Sequence, residues 1–141
     1  MFLAPQKILL FADGRLSQIY TLSLDESNTS AKLVPMAHIH RMYRPAALDF
    51  DSTEDRIYWT DTRLNTISRM FINGSSSETV ISRGVYYPYG LAVDPVGRNI
   101  YWTDHSLNKI EVSRMDGSIR KTLITQDLNN PRDIILDIDE G

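Results

Sequence analysis

The chain has 141 residues, 42% hydrophobic and 23% charged, with a formal net charge of −3 and no cysteine. That balance suits a folded domain and carries no basic excess to draw it to nucleic acid or an anionic membrane. The missing cysteines exclude disulfides, cysteine–zinc centres and thiol nucleophiles, and no apolar run approaches the about 18 residues of a membrane span.

Taken in chain order, Met1 to Leu10 is apolar but interrupted by Pro5 and Lys7, with no small-residue cleavage site, so it does not read as a signal peptide. A first strand is expected at Leu9-Leu10-Phe11-Ala12-Asp13, with Leu16 and Ile19 beyond it. The polar stretch Asp25–Ser30 contains the glycosylation acceptor triplet Asn28-Thr29-Ser30. His38 and His40 sit in a polar connection without a matching carboxylate. With His105 they read as solvated loop histidines rather than a metal site or pH switch. Pro45 then opens the run Ala46-Ala47-Leu48-Asp49-Phe50-Asp51, followed by Ile57-Tyr58-Trp59-Thr60-Asp61, Leu64-Asn65-Thr66-Ile67 and the turn Asn73-Gly74-Ser75, a second acceptor triplet. Two such triplets are weak evidence by number alone.

The same series returns 43 residues later: Pro88 with Tyr89-Gly90-Leu91-Ala92-Val93-Asp94, then Ile100-Tyr101-Trp102-Thr103-Asp104, Leu107-Asn108-Lys109-Ile110 and Asp116-Gly117-Ser118. Pro131 opens a third run, Arg132-Asp133-Ile134-Ile135-Leu136-Asp137. The degenerate first pentapeptide precedes the second by 48 residues, which places an insertion in Asp25–Ser30. Each unit reads as four short strands, in the best copy Asn99–Thr103, Asn108–Met115, Ile119–Thr125 and Arg132–Asp137, separated by turn residues. Asn73-Gly74 and Asp116-Gly117 are hairpin signals. No segment carries a helical period.

Four-stranded units of this length predict an all-β chain of three consecutive antiparallel propeller blades, with repeats at approximately 8–56, 57–99 and 100–141. A ring takes about four to eight blades, so the array is expected to continue beyond this chain. Strand edges left open by a cut would be an aggregation hazard.

Within the repeat, Tyr58, Trp59, Tyr101 and Trp102 are expected to fill the space between blades, and Asp61 and Asp104 to fix turns through backbone N–H groups. The acid pairs Asp49/Asp51 and Asp137/Asp139 also read as turn formers rather than general acid–base or calcium pairs. No Gly-x-Ser-x-Gly elbow and no phosphate-cradling glycine loop is present.

Antiparallel topology brings Arg44, Tyr87 and Asn130 to the same end of the blades as Gly14, Thr62 and His105. Ala46, Tyr89 and Arg132 lie at the mouth of the central channel, near Tyr86. Tyrosine and arginine are enriched at binding hot spots, so Arg44, Thr62, Tyr87, Tyr89, His105 and Arg132 form a candidate ligand-binding face. Arg98, on the opposite rim, reads as a bystander. The inner-strand starts Arg44-Pro45-Ala46, Tyr87-Pro88-Tyr89 and Asn130-Pro131-Arg132 lack the carboxylates that a metal-dependent lactonase or esterase needs.

These motifs resemble the YWTD, or class B, repeats of the low-density lipoprotein receptor family, over essentially the whole chain. Arg56–Asp61 leading to Thr66-Ile67-Ser68-Arg69, the run from Asn108 to Gly117, and the opening Phe2-Leu3-Ala4-Pro5 are most similar to the receptor-related Wnt co-receptors, including Arrow. The resemblance implies six-bladed propellers in the extracellular part of a single-pass cell-surface receptor, attached to the membrane through a span outside this sequence. It implies rigid display to a protein ligand, a Wnt-pathway ligand or antagonist, with no enzymatic activity, no cofactor and no metal. A nidogen-like matrix protein and an endocytic lipoprotein receptor are the alternatives, and a propeller hydrolase a more distant one. The resemblance also places ligand contacts on the face just described. Arg44 and Tyr89 stand there where acids are expected, and Thr62 where an apolar residue is.

Overall fold

The computed structural model describes residues 7–24, 34–36 and 41–138. Among them there is no helix, and eleven strands make up the regular structure. Strands β1 (Ile8–Asp13), β2 (Gln18–Ser23) and β3 (Val34–Pro35) form the first sheet. The second holds β4 (Pro45–Asp51), β5 (Arg56–Asp61), β6 (Thr66–Phe71) and β7 (Glu78–Ile81), and the third β8 (Pro88–Asp94), β9 (Asn99–Asp104), β10 (Lys109–Arg114) and β11 (Lys121–Ile124). Every ladder is antiparallel, each strand pairing with its neighbour in sequence. Pro45 and Pro88 occupy the first position of their strands, where a missing N–H is tolerated, and a register shift follows each.

The blade starts one strand earlier than the sequence repeat. β4 and β8 open their sheets because short turns join them to β5 and β9. Arg132–Asp137, expected as the fourth strand of the last unit, is instead the counterpart of β4 and β8. It forms no described strand, and its first residues cross β8 so closely that a Cβ on Gly90 would lie 2.1 Å from the Arg132 carbonyl oxygen. The fourth strand of the third sheet is Lys121–Ile124. The first sheet has three described strands, counterparts of β5, β6 and β7.

The Asn73-Gly74 and Asp116-Gly117 hairpins form where expected, with a different loop. Gly74 N–H donates to the Phe71 carbonyl at 2.8 Å and Phe71 N–H to that of Ser75 at 2.9 Å, and Arg114, Gly117 and Ser118 repeat the pattern. Each is a three-residue loop closed by a glycine at φ 85°, rather than a two-residue turn. A Cβ at Gly117 would also lie 2.3 Å from the Val80 carbonyl oxygen, so this turn closes against the preceding sheet. The left-handed positions Ser17 and Asn65 differ by 48 residues, and Arg41 and Gly84 by 43. The insertion therefore falls between Ser17 and Arg41. Asp25–Ser30, to which it was assigned, lies outside the described residues.

Alternation along the pentapeptide strand explains its composition. Ile57 and Trp59 face back toward the first sheet, where Trp59 packs with Ile19, Met36 and Met70. Tyr58 faces forward, into the layer that Trp102 shares with Ile67, Ile81, Val85, Leu91 and Met115. Trp59 and Trp102, at 1% and 0% exposure, thus occupy matching places between successive sheets. Tyr101 occupies the position of Tyr58 on the forward face of the third sheet and is only half-buried.

Candidate ligand-binding rim

The end of the blades that carries the candidate face is built by three repeated polar residues. Asp61 accepts the Arg63 and Leu64 N–H groups on one oxygen, both at 2.9 Å, closing the β5–β6 turn. Its other oxygen accepts Tyr43 and Arg44 N–H at 2.7 and 3.0 Å, tying down the loop that enters β4. Asp104 does the same toward Leu107 and Tyr86, and Asp13 accepts from Arg15 and Leu16, which identifies the degenerate first copy. The threonine before the aspartate links blades. Thr60 Oγ1 accepts from Ala47 N–H in its own sheet and donates to the Tyr89 carbonyl of the next. Thr103 Oγ1 accepts from Gly90 and donates to the Arg132 carbonyl at 2.6 Å. Both aspartates and both threonines are buried.

The third residue was not assigned a role from sequence. Asn65 and Asn108 sit at φ 55° and 50°, a backbone that asparagine tolerates. Their Oδ1 atoms accept the N–H groups of Tyr87 and Asn130 at 2.8 and 2.7 Å in the following blade-entry loops. The recurrence of Asn at one offset after the pentapeptide was the signal that could have found them.

On this frame the structure brings together four of the six candidate side chains. Tyr87 and Tyr89 stack with centroids 6.2 Å apart, and His105 lies 5.3 Å from Tyr87 and 6.1 Å from Tyr89. The Arg132 guanidinium covers the Tyr89 ring at 5.6 Å. The placement is topological: His105 N–H donates to the Tyr87 carbonyl, joining the β9–β10 turn to the loop before β8. Arg44 is exposed one blade earlier, at the position equivalent to Tyr87. Thr62, equivalent to His105, is buried, and its hydroxyl donates to the Arg44 carbonyl at 3.2 Å. A small residue there completes the turn and presents nothing to solvent.

Tyr87 is one of eleven non-glycine residues with left-handed backbone among the described residues. Its φ is 67°, whereas its counterpart in the next blade is Asn130, at φ 54°. A bulky residue in the left-handed region costs about 1–2 kcal/mol, and Arg98 and Ile119 carry the same conformation at the opposite end, at φ 59° and 49°.

The opposite end is held by side-chain charges that sequence reasoning did not pair. Arg98 Nη1 donates to both Asp51 oxygens at 2.9 Å, and its Nη2 meets Glu54 at 3.0 Å. This ties the β8–β9 turn to β4, with Asp51 fully buried. Asp51 also accepts Thr53 N–H, and Asp94 accepts Val96 and Gly97, as expected of turn formers. Asp49 departs from that role: its Oδ2 accepts the Val93 N–H of the neighbouring inner strand at 2.6 Å. In the third sheet Glu111 is buried under Arg120, at 2.9 and 2.7 Å, and Lys109, at 3.0 Å. Burial acts to raise the Glu111 carboxyl, but Arg120 and Lys109 outweigh it and hold it below the usual carboxylate range. Asn73 is exposed at the same end as Arg98, its Oδ1 accepting from Ser75 N–H. Asn28, His38, His40 and Asp139 lie outside the described residues.

Inner strands that lie side by side, with meanders running outward from them, define successive blades of a β-propeller. The chain belongs to the low-density lipoprotein receptor repeat class B family, whose sequence model matches residues 55–95 and 98–138. It is 44% identical over 83 residues to low-density lipoprotein receptor-related protein 5 of Mus musculus, covering 59% of this chain and 5% of that one. Identity to the related protein 4 of Homo sapiens is also 44%, over 82 residues, with 58% and 4% covered. The chain thus spans about one twentieth of these relatives' length. Among solved structures it resembles a chain of a nidogen–laminin complex, with a TM-score of 0.80 and 32% identity over 94% of this chain and 49% of that one. A catalytically inactive virginiamycin B lyase from Staphylococcus aureus shares the fold, with a TM-score of 0.70 and 16% identity over 94% and 43%.

Proposed function

We propose that this chain supplies blades to an extracellular protein-binding propeller of a receptor-related protein, and that Tyr87, Tyr89, His105 and Arg132, with Arg44 beside them, form its ligand-binding rim. The observation that carries the reading is the convergence of three aromatic rings and a guanidinium on one end of adjacent blades. Tyrosine and arginine offer anchor area and directed hydrogen bonds, and a rigid frame holds them without an ordering cost on binding. The mechanism is display, not chemistry. The inner-strand starts offer no carboxylate to hold a catalytic metal, and the likeness to a lyase reaches the fold alone.

Within this reading the propeller is of the Wnt co-receptor type, supported by the identity to the related proteins 4 and 5. A matrix role is the second reading, favoured by the likeness to a chain solved in a complex of nidogen and laminin. Asn73, in the exposed far-end turn, is proposed to carry a glycan that leaves the near rim open, and Asn28 is a second proposed acceptor. Titration of the secreted propeller against Wnt-pathway ligands and against laminin tests these readings together. The reading expects saturable binding to one of them that Tyr89→Ala weakens. Binding unaffected by every change on the near rim, but lost on far-end changes, would place the site on the wrong face.

A further inference from the structure

Nine of the eleven arginines of this chain divide by the end of the blade they occupy. At the far end, Arg56 and Arg69 meet Glu78, Arg98 meets Asp51 and Glu54, and Arg114 donates to the Gly97 carbonyl. At the near end, Arg15, Arg41, Arg44, Arg63 and Arg132 are all exposed, and among the described residues none of their side chains has a hydrogen bond or ion pair. The aspartates that could neutralise them do not. Asp61 and Asp104 are buried and hold backbone N–H groups, and Asp13 is bonded to its own turn. Exposed Asp127 and Asp133 offset part of the charge. A chain of net charge −3 therefore presents a cationic rim.

Resting on the rim as the protein-binding surface, we propose that it takes an extended peptide segment bearing carboxylates, received by Arg132 and Arg44 while an adjoining side chain packs on Tyr87, Tyr89 and His105. The planar guanidinium fork matches a carboxylate through two parallel hydrogen bonds. Arg132 is already positioned over Tyr89, so less freedom is lost when a carboxylate meets it. A sulfated glycan would also meet the charge, but three clustered rings 5.3–6.2 Å apart favour an apolar side chain beside the carboxylate. A peptide uses both.

The test is selection of short random peptides displayed on phage against the purified protein. Counter-selection uses a Tyr87→Ala/Tyr89→Ala variant whose fold is checked by circular dichroism. Clones that depend on the rim should be enriched in Asp and Glu. A selected peptide should bind roughly ten- to a hundredfold more weakly to Arg132→Gln or Arg44→Gln, the scale of a hydrogen bond to a charged group. Affinity should be unchanged in Lys121→Gln, on the outer strand, and should fall with salt. Rim-dependent clones without acidic excess, or acidic clones indifferent to both arginine changes, overturn the inference and leave the rim reading standing. Heparin oligosaccharides that bind through Arg132 and Arg44 while acidic peptides fail would assign the charge to a glycan, and also overturn it. No rim-dependent clone at all overturns both.

Discussion

At the far end of the blades, carboxylates are left for arginines: Asp51 and Glu54 hold Arg98, and Glu78 holds Arg69. At the near end, Asp61 and Asp104 are committed to backbone N–H groups, and the arginines around them face solvent. The same residue types are thus structural at one end and available at the other. What separates them is the turn chemistry of the pentapeptide, which commits both oxygens of its aspartate to backbone N–H groups. Left-handed backbone does not follow this division: Tyr87 carries it at the available end, among the rings it stacks with, and Arg98 and Ile119 carry it at the structural one.

The largest expected effect tests the frame that both ends share. Trp102→Ala or Trp59→Ala should cost about 3–5 kcal/mol, the scale for emptying a buried aromatic site, read by urea denaturation. A loss below about 1 kcal/mol would remove the packing account of the motif.

Next comes the far end itself. Sequence read Arg98 as a bystander to binding on the opposite rim; for the fold, its removal leaves Asp51 charged and fully buried. Arg98→Ala should cost about 2 kcal/mol, below the usual range for a broken buried pair because Arg98 is partly exposed. An unchanged urea midpoint would show that the pair does not join the blades.

Glu111 gives the pH dependence its sign. Its folded pKa lies below the ordinary value, so the group adds stability above its unfolded pKa and loses it as pH falls through the folded one. The stability gap between the native protein and Glu111→Gln should be full at neutral pH and narrow in acid, below about pH 4. A gap that stays constant from pH 7 to about pH 3 would contradict the Arg120 and Lys109 pairing as its cause.

The smallest effect is expected at the near end. Arg44→Gln and Arg63→Gln should each change stability by no more than about 0.5 kcal/mol, as surface substitutions do. A larger loss in thermal denaturation would mean that these side chains support the fold.

The division between the two ends follows what sequence can and cannot reveal. The period exposed the blade architecture, the buried tryptophans and the turn role of Asp61, because each recurs at a fixed offset in the repeat. It also brought Tyr87, Tyr89, His105 and Arg132 to one end, since antiparallel topology alone fixes that. The repeat bounds fell one strand late, after the inner strand, because a repeat has no intrinsic starting point. Thr62 was misread as a presented side chain: its offset matches His105, but a hydroxyl can turn back to the Arg44 carbonyl where an imidazole does not. Asp51–Arg98 and Glu111–Arg120 were not legible, because blades that share a period differ in which charges they carry. Ser68, the counterpart of Glu111, meets only Thr79.

The central claim is that the near rim is held for binding rather than for the fold, and Tyr87→Asn tests it most directly. The change relieves about 1–2 kcal/mol of left-handed backbone strain and forfeits ring contacts worth about 0.5–1.5 kcal/mol. Measured together on the secreted propeller, its unfolding free energy should therefore move by less than about 1 kcal/mol in either direction. Its affinity for the protein ligand should weaken by about 1–3 kcal/mol on the hot-spot scale, while Val96→Ser, at an exposed far-end turn, changes neither. Loss of stability with affinity intact would contradict the account, making Tyr87 a structural residue and the rim a surface without a partner.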